Sequence, residues 1–144
     1  MIKLRKNQGG AAMARKTALG IQDFEEIIVN DYFYVDKTAF IREWWENGDH
    51  VTLITRPRRF GKTLTMSMVD RFFSVKYGGE GTIFEKLNIW KDEKYRSLQG
   101  SYPVISLSFA NVKKDTYEGA KCRICQILAD LYNKNIFFVS LLLY

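Results

Sequence analysis

The sequence predicts an α/β fold, the opening of a doubly wound parallel sheet, and three observations predict it. The β-branched run Val51-Thr52-Leu53-Ile54-Thr55 enters a short basic loop, Arg56-Pro57-Arg58-Arg59-Phe60-Gly61-Lys62-Thr63. Leu64, Met68 and Phe72 then recur at helical spacing, with Val69 and Phe73 beside them. After Pro103, a second apolar run, Val104-Ile105-Ser106-Leu107-Ser108-Phe109, leads into another helical pattern. Strand, loop, helix, strand, helix would place a ligand at the carboxyl ends of the strands.

Each element has a local reason. Asp23 is placed to cap a short helix through Phe24, Ile27 and Ile28, and Tyr32-Phe33-Tyr34-Val35 reads as an extended aromatic approach. Asp36 is placed to cap the next helix, on which Phe40 and Trp44 lie one turn apart and which Asn47-Gly48 stops. Tyr77-Gly78-Gly79-Glu80-Gly81 breaks the helix after the loop, and a loosely structured region is expected through Trp90 to Gly100. Asp115 and Glu118 offer a capping box to a last helix whose Tyr117, Ala120, Ile124, Ile127 or Leu128, and Leu131 share a face. No internal repeat or low-complexity segment interrupts the chain.

The loop carries the chemistry. Gly-Lys-Thr between a strand and a helix lets backbone N–H groups and a helix N-terminus converge on an anion. The amides of Arg59, Phe60, Gly61, Lys62 and Thr63 would wrap the β-phosphate of a nucleotide, and Gly61 allows close approach without a Cβ. Lys62 would place a charge between the β- and γ-phosphates, and the Thr63 hydroxyl would be a ligand for Mg²⁺. The tripeptide alone turns up by chance in roughly one chain in ten or twenty of this size. Its placement therefore carries the weight. Arg56 stands where a phosphate loop of the G-x-x-x-x-G-K-[ST] form begins with glycine. Pro57 biases Arg56 toward extended geometry, so a different path into the loop is expected, with arginine forks replacing a missing amide. The plainer alternative is a basic, solvated loop before an ordinary core helix.

The 144 residues, 47% of them hydrophobic, can bury one ordinary core. A net charge of +6 is compatible with phosphate ligands or nucleic acid and separates neither from a generally basic surface. Cys122 and Cys125 form a C-x-x-C within a helical pattern, and His50 is the single histidine. Zinc would need a second pair of ligands, so buried or half-buried reduced thiols in a cytoplasmic protein are the expectation. Residues 1–17 read as a mobile basic tail without the apolar stretch of a secretory signal. The apolar stub 136–144 is too short to span a bilayer as a helix, and no membrane contact is expected.

Two stretches carry a wider resemblance: Tyr34-Val35-Asp36-Lys37-Thr38-Ala39-Phe40-Ile41, and Leu53 through Leu64 with its Arg56-Pro57-Arg58-Arg59-Phe60-Gly61-Lys62-Thr63 core. The chain resembles the amino-terminal part of the AAA-ATPase-like family of predicted P-loop ATPases, in which arginine in place of the first glycine is normal. The likeness runs from about Ala18 to about Tyr132. It implies an incomplete P-loop NTPase-type three-layer parallel sheet over residues 18–135, truncated at its carboxyl end, with ATP and Mg²⁺ as cofactors. Arg58, Arg59, Phe60, Gly61, Lys62, Thr63 and Leu64 are the expected nucleotide contacts, with Thr63 on the metal. Tyr34 would lie near the base, with Asp36 or Lys37 oriented toward the nucleotide or the loop; a helix cap with a hydrophobic anchor is the other reading of that motif.

In that family the segment is followed by a strand ending in acidic residues, and many members carry a PD-(D/E)xK nuclease-like domain. Neither pattern occurs here. Val104–Phe109 ends in Ala110-Asn111, and Asp70 and Asp130 fall in helical patterns. No catalytic residue is assigned and hydrolysis is doubtful without an acidic strand supplied from elsewhere. The stub 136–144 is either a buried final strand or an interior segment exposed by truncation or frameshift, and the family comparison favours the second. The expected partners are ATP and, through the basic loop or a family-associated nuclease domain, nucleic acid; oligomerisation stays open. A basic module gripping nucleic-acid backbone without nucleotide chemistry is the alternative function.

Overall fold

A computed structural model describes residues 16–18 and 20–136. The rest of the basic segment 1–17 and nearly all of the stub 136–144 lie outside the described residues. Five α-helices follow one another: α1 Phe24–Val29, α2 Ala39–Asn47, α3 Lys62–Phe73, α4 Glu93–Arg96 and α5 Tyr117–Lys134. Three 3₁₀ turns, Val75–Tyr77, Gly81–Phe84 and Asn88–Lys91, separate α3 from α4.

The expected parallel sheet is not there. Helix accounts for 51% of the described residues and strand for 3%, and no sheet forms among them, which overturns the α/β three-layer assignment. The only strand-like pairings described are two isolated parallel bridges, Thr17 to Phe33 and Ser74 to Tyr102. The physical reason is that β-propensity supplies a surface, whereas a strand needs a neighbouring backbone roughly 4.8 Å away to complete its ladder. Neither apolar run has one. Val51 and Leu53 are 88% and 82% exposed, and Ile105 and Phe109 are 64% and 54% exposed.

The core is instead aromatic and is organised by α3. Its inward stripe, Met68, Phe72 and Phe73, is buried as the periodicity requires, with Leu64 and Val69 packed alongside. Phe84, fully buried, stacks on Phe24 at 5.2 Å and meets Phe72 edge-on at 5.2 Å. Phe73 carries Trp44 and Trp45 of α2 and Tyr102 on its other side. Asp23 accepts from the amides of Glu25 and Glu26 and so starts α1 as its sequence indicates. The Phe24 N–H then donates to Ser67 Oγ at 3.0 Å, tying α1 to α3.

Residues 81–100 are more ordered than their pattern indicates. Phe84, Leu87, Ile89 and Tyr95 belong to the core, but their spacing follows successive short turns and matches neither a helical nor a strand period. Two caps also move. Thr38, not Asp36, is the N-cap of α2. Thr116, not Asp115, caps α5 by accepting from the Gly119 amide at 3.1 Å. α5 has no fully buried residue; Ile124, Ile127 and Leu131 on its expected face are half-buried, while Tyr117 is 76% exposed. Cys122 and Cys125 on this helix are free thiols, but both are exposed and not buried as expected.

Candidate functional site

The loop ends where α3 begins, at Lys62. Gly61 is the N-cap in the left-handed region, φ 74°, and gives no side-chain cap. Thr65 N–H is the first to bond back, to the Gly61 carbonyl at 2.8 Å. The amides of Lys62, Thr63 and Leu64 ahead of it therefore have no acceptor within the helix, and the positive end of its dipole lies with them. Arg56 does not take a left-handed conformation, in keeping with the path expected from Pro57; Arg59 does, at φ 68°. A side chain held there stores strain on the order of 1 kcal/mol.

In front of this junction is a cavity of about 1030 Å³. Its lining includes the cationic residues Lys37, Arg56, Arg58, Arg59 and Lys62, together with Thr63. The same lining includes the apolar Ile21, Ile27, Phe33, Val35, Phe60 and Leu64. None of the residues lining it is a carboxylate. Lys62 Nζ donates to the Arg56 carbonyl at 2.5 Å, folding the lysine back over its own loop.

The Tyr34–Phe40 motif divides between structure and site. Tyr34 borders the cavity, but its hydroxyl accepts from the Lys37 amide at 3.2 Å and donates to Met68 Sδ at 3.4 Å. Burial pushes its phenol up to about 12. Asp36 does not line the cavity. One of its carboxylate oxygens accepts from the Thr38 amide at 2.8 Å and the Thr38 hydroxyl at 2.7 Å, and the other accepts from the Asn88 amide at 2.7 Å. Thr38 Oγ1 in turn accepts from the Ile89 amide at 3.2 Å. Burial acts against the Asp36 charge, but the Thr38 hydroxyl, the Asn88 and Thr38 amides and nearby Lys91 outweigh it and hold the carboxyl below its ordinary value of 3.8.

Asp36→Ala removes the acceptor for three donors and is expected to destabilise the chain by about 1–2 kcal/mol. Because the folded-state value is depressed, this stabilisation is present above pH 3.8 and is lost as pH falls through the folded value. Urea melts of wild type and variant should therefore converge on acidification; a difference that stays constant across that range contradicts the assignment.

The structure thus brings Arg58, Arg59, Phe60, Gly61, Lys62, Thr63, Leu64, Tyr34 and Lys37 to one cavity and leaves Asp36 behind it. The residues that sequence reasoning missed are apolar ones of the lining, Ile21, Ile27, Phe33 and Val35. A signal for two of them was present. Phe33 and Val35 alternate with Tyr34, and they are 58% and 60% exposed while Tyr34 packs inward against Phe24.

An open helix N-terminus thus lies at the glycine-lysine-threonine turn, and five cationic residues line the cavity before it. The chain belongs to the family described as predicted AAA-ATPase, which matches residues 18–139. It is 35% identical over 96 residues to an uncharacterized protein in the vnfD 5' region of Azotobacter chroococcum mcd 1. That match covers 66% of this chain and 17% of the relative, so the chain spans a minor part of the relative's length. No solved structure matches it. No helix among the described residues is long and apolar enough to cross a membrane.

Proposed function

We propose that this chain binds a nucleoside triphosphate, ATP accompanied by Mg²⁺, in the cavity before α3. The observation that carries the reading is the make-up of that cavity's lining beside the open start of α3: five cations, six apolar residues, and no acid among the described residues lining it. A nucleotide has the matching make-up, a polyanion joined to a flat, largely apolar base. The volume of about 1030 Å³ stands at the upper end of the roughly 300–1,000 Å³ range of small-molecule sites. The phosphates would take the amides of Lys62, Thr63 and Leu64 with Lys62, Arg58 and Arg59 around them, and the base would lie toward Phe33, Val35 and Ile21. Thr63 is the loop hydroxyl suited to Mg²⁺, with the remaining ligands coming from phosphate and water. With no carboxylate in the lining to hold the metal or orient water, the reading stops at binding.

The test is a titration of a fluorescent ATP analogue with Mg²⁺, competed by unlabelled ATP and, separately, by a single-stranded oligonucleotide. Displacement by ATP and not by the oligonucleotide is expected. Displacement by the oligonucleotide alone, with affinity falling steeply as salt rises, would instead assign the basic loop to nucleic-acid backbone.

A further inference from the structure

Resting on the nucleotide reading above, we infer that Lys37 is the residue by which this site distinguishes a nucleoside triphosphate from a diphosphate, its ammonium meeting the terminal phosphate. Lys37 lies outside the loop, in the turn that precedes α2, and it reaches across to the loop's glycine. A Cβ placed on Gly61 would come within 2.9 Å of Lys37 Nζ. Lys37 also borders a second cavity of about 230 Å³, which Glu43, Arg56 and Thr65 share. Its ammonium therefore stands at the junction of the two spaces, beside the main chain that would hold the phosphates.

The two lysines at Gly61 differ in their partners. Lys62 is hydrogen-bonded to the Arg56 carbonyl. Lys37 Nζ has no hydrogen bond or ion pair among the described residues, and Glu43, the one carboxylate bordering either cavity, does not pair with it. Lys37 is half-buried as a residue, and an ammonium without a protein acceptor gains from an incoming anion.

The backbone that carries this charge is also held in place. The Lys37 amide donates to the Tyr34 hydroxyl at 3.2 Å. On either side of it, Asp36 accepts from the Asn88 amide at 2.7 Å and Thr38 from the Ile89 amide at 3.2 Å. With its own amide bonded and both neighbouring side chains tied to the Asn88–Ile89 turn, the backbone that carries Lys37 needs little further ordering on binding. The α3 amides and Lys62 supply partners for one phosphate group. A further group bound beyond it, over Gly61, has Lys37 as its cation. A diphosphate seated on the amides leaves that ammonium unmet.

The experiment measures dissociation constants of Mg²⁺–ATP and Mg²⁺–ADP by calorimetry at fixed ionic strength, for wild type, Lys37→Gln, Lys37→Arg and Lys62→Ala. Wild type should prefer ATP by roughly tenfold or more, the value of one charge-assisted contact. Lys37→Gln should lose most of that preference by weakening ATP while ADP stays within about twofold, and Lys37→Arg should recover much of it. No ATP preference in wild type, or an equal loss for both nucleotides in Lys37→Gln, overturns the inference, and the first of these decides it even where the glutamine variant fails to fold. If Lys62→Ala weakens both nucleotides while Lys37→Gln keeps the wild-type ratio, the role of Lys37 fails and the nucleotide site stands. If Lys62→Ala changes neither, the nucleotide is not held at this loop and the site proposed above fails; if wild type binds neither nucleotide, the nucleotide reading itself fails.

Discussion

Lys62→Ala is expected to weaken Mg²⁺–ATP binding by roughly ten- to a hundredfold while leaving the chain folded. The lysine side chain is exposed, and its one described hydrogen bond, to the Arg56 carbonyl, is also exposed. Removing it should change stability by no more than about 0.5 kcal/mol. Its value lies with the ligand. A charge-assisted contact to phosphate contributes about 1.5–3 kcal/mol, and each 1.4 kcal/mol is about tenfold in affinity. Calorimetric titration beside a urea melt separates the two effects. Unchanged affinity in a folded variant would count against the proposed site as a whole.

Phe84→Ala is expected to be the most damaging single change to the fold, at about 3–5 kcal/mol. Phe84 is fully buried, and its ring is shared between Phe24, Phe72 and Trp90 at centroid distances of 5.2, 5.2 and 6.3 Å. Those neighbours come from α1, α3 and the turn at Asn88–Lys91, so their backbones cannot close together over the gap. The lost contacts and the cavity both count. Phe60, of the same chemistry but 58% exposed at the loop, is the control, and its alanine variant should stay within about 0.5 kcal/mol of wild type. Equal losses at the two positions in urea melts would show that the core is not organised around Phe84.

The helix that follows the loop was more legible in the sequence than the fold as a whole. Lys62 and Thr63 could be placed at a helix start because glycine, a turn and a 3.6-residue apolar stripe are adjacent in the chain. Met68 and Phe72 are buried in the order that stripe predicts. Val51–Thr55 and Val104–Phe109 have the composition of strands, but a ladder depends on a second backbone, which composition does not specify. The same limit explains Asp36. Its capping chemistry is readable locally, but its Asn88 partner is 52 residues away, and that long-range bond gives the acid a structural place behind the cavity. Phe84, Leu87, Ile89 and Tyr95 escaped notice because consecutive 3₁₀ and α turns bury residues at uneven intervals. Lys37 was readable as a member of a motif; its approach to Gly61 could come only from the packing of the α2 turn against the loop.

The central claim is that the main-chain amides at the start of α3 hold phosphate. Following the Mg²⁺–ATP titration by amide chemical shifts, residue by residue, tests it most directly. The predicted result is a set of saturable shifts concentrated on Gly61, Lys62, Thr63 and Leu64, with weaker changes at Phe33 and Val35 and none on the outer face of α5. Saturable binding that leaves those four amides unmoved would contradict the account.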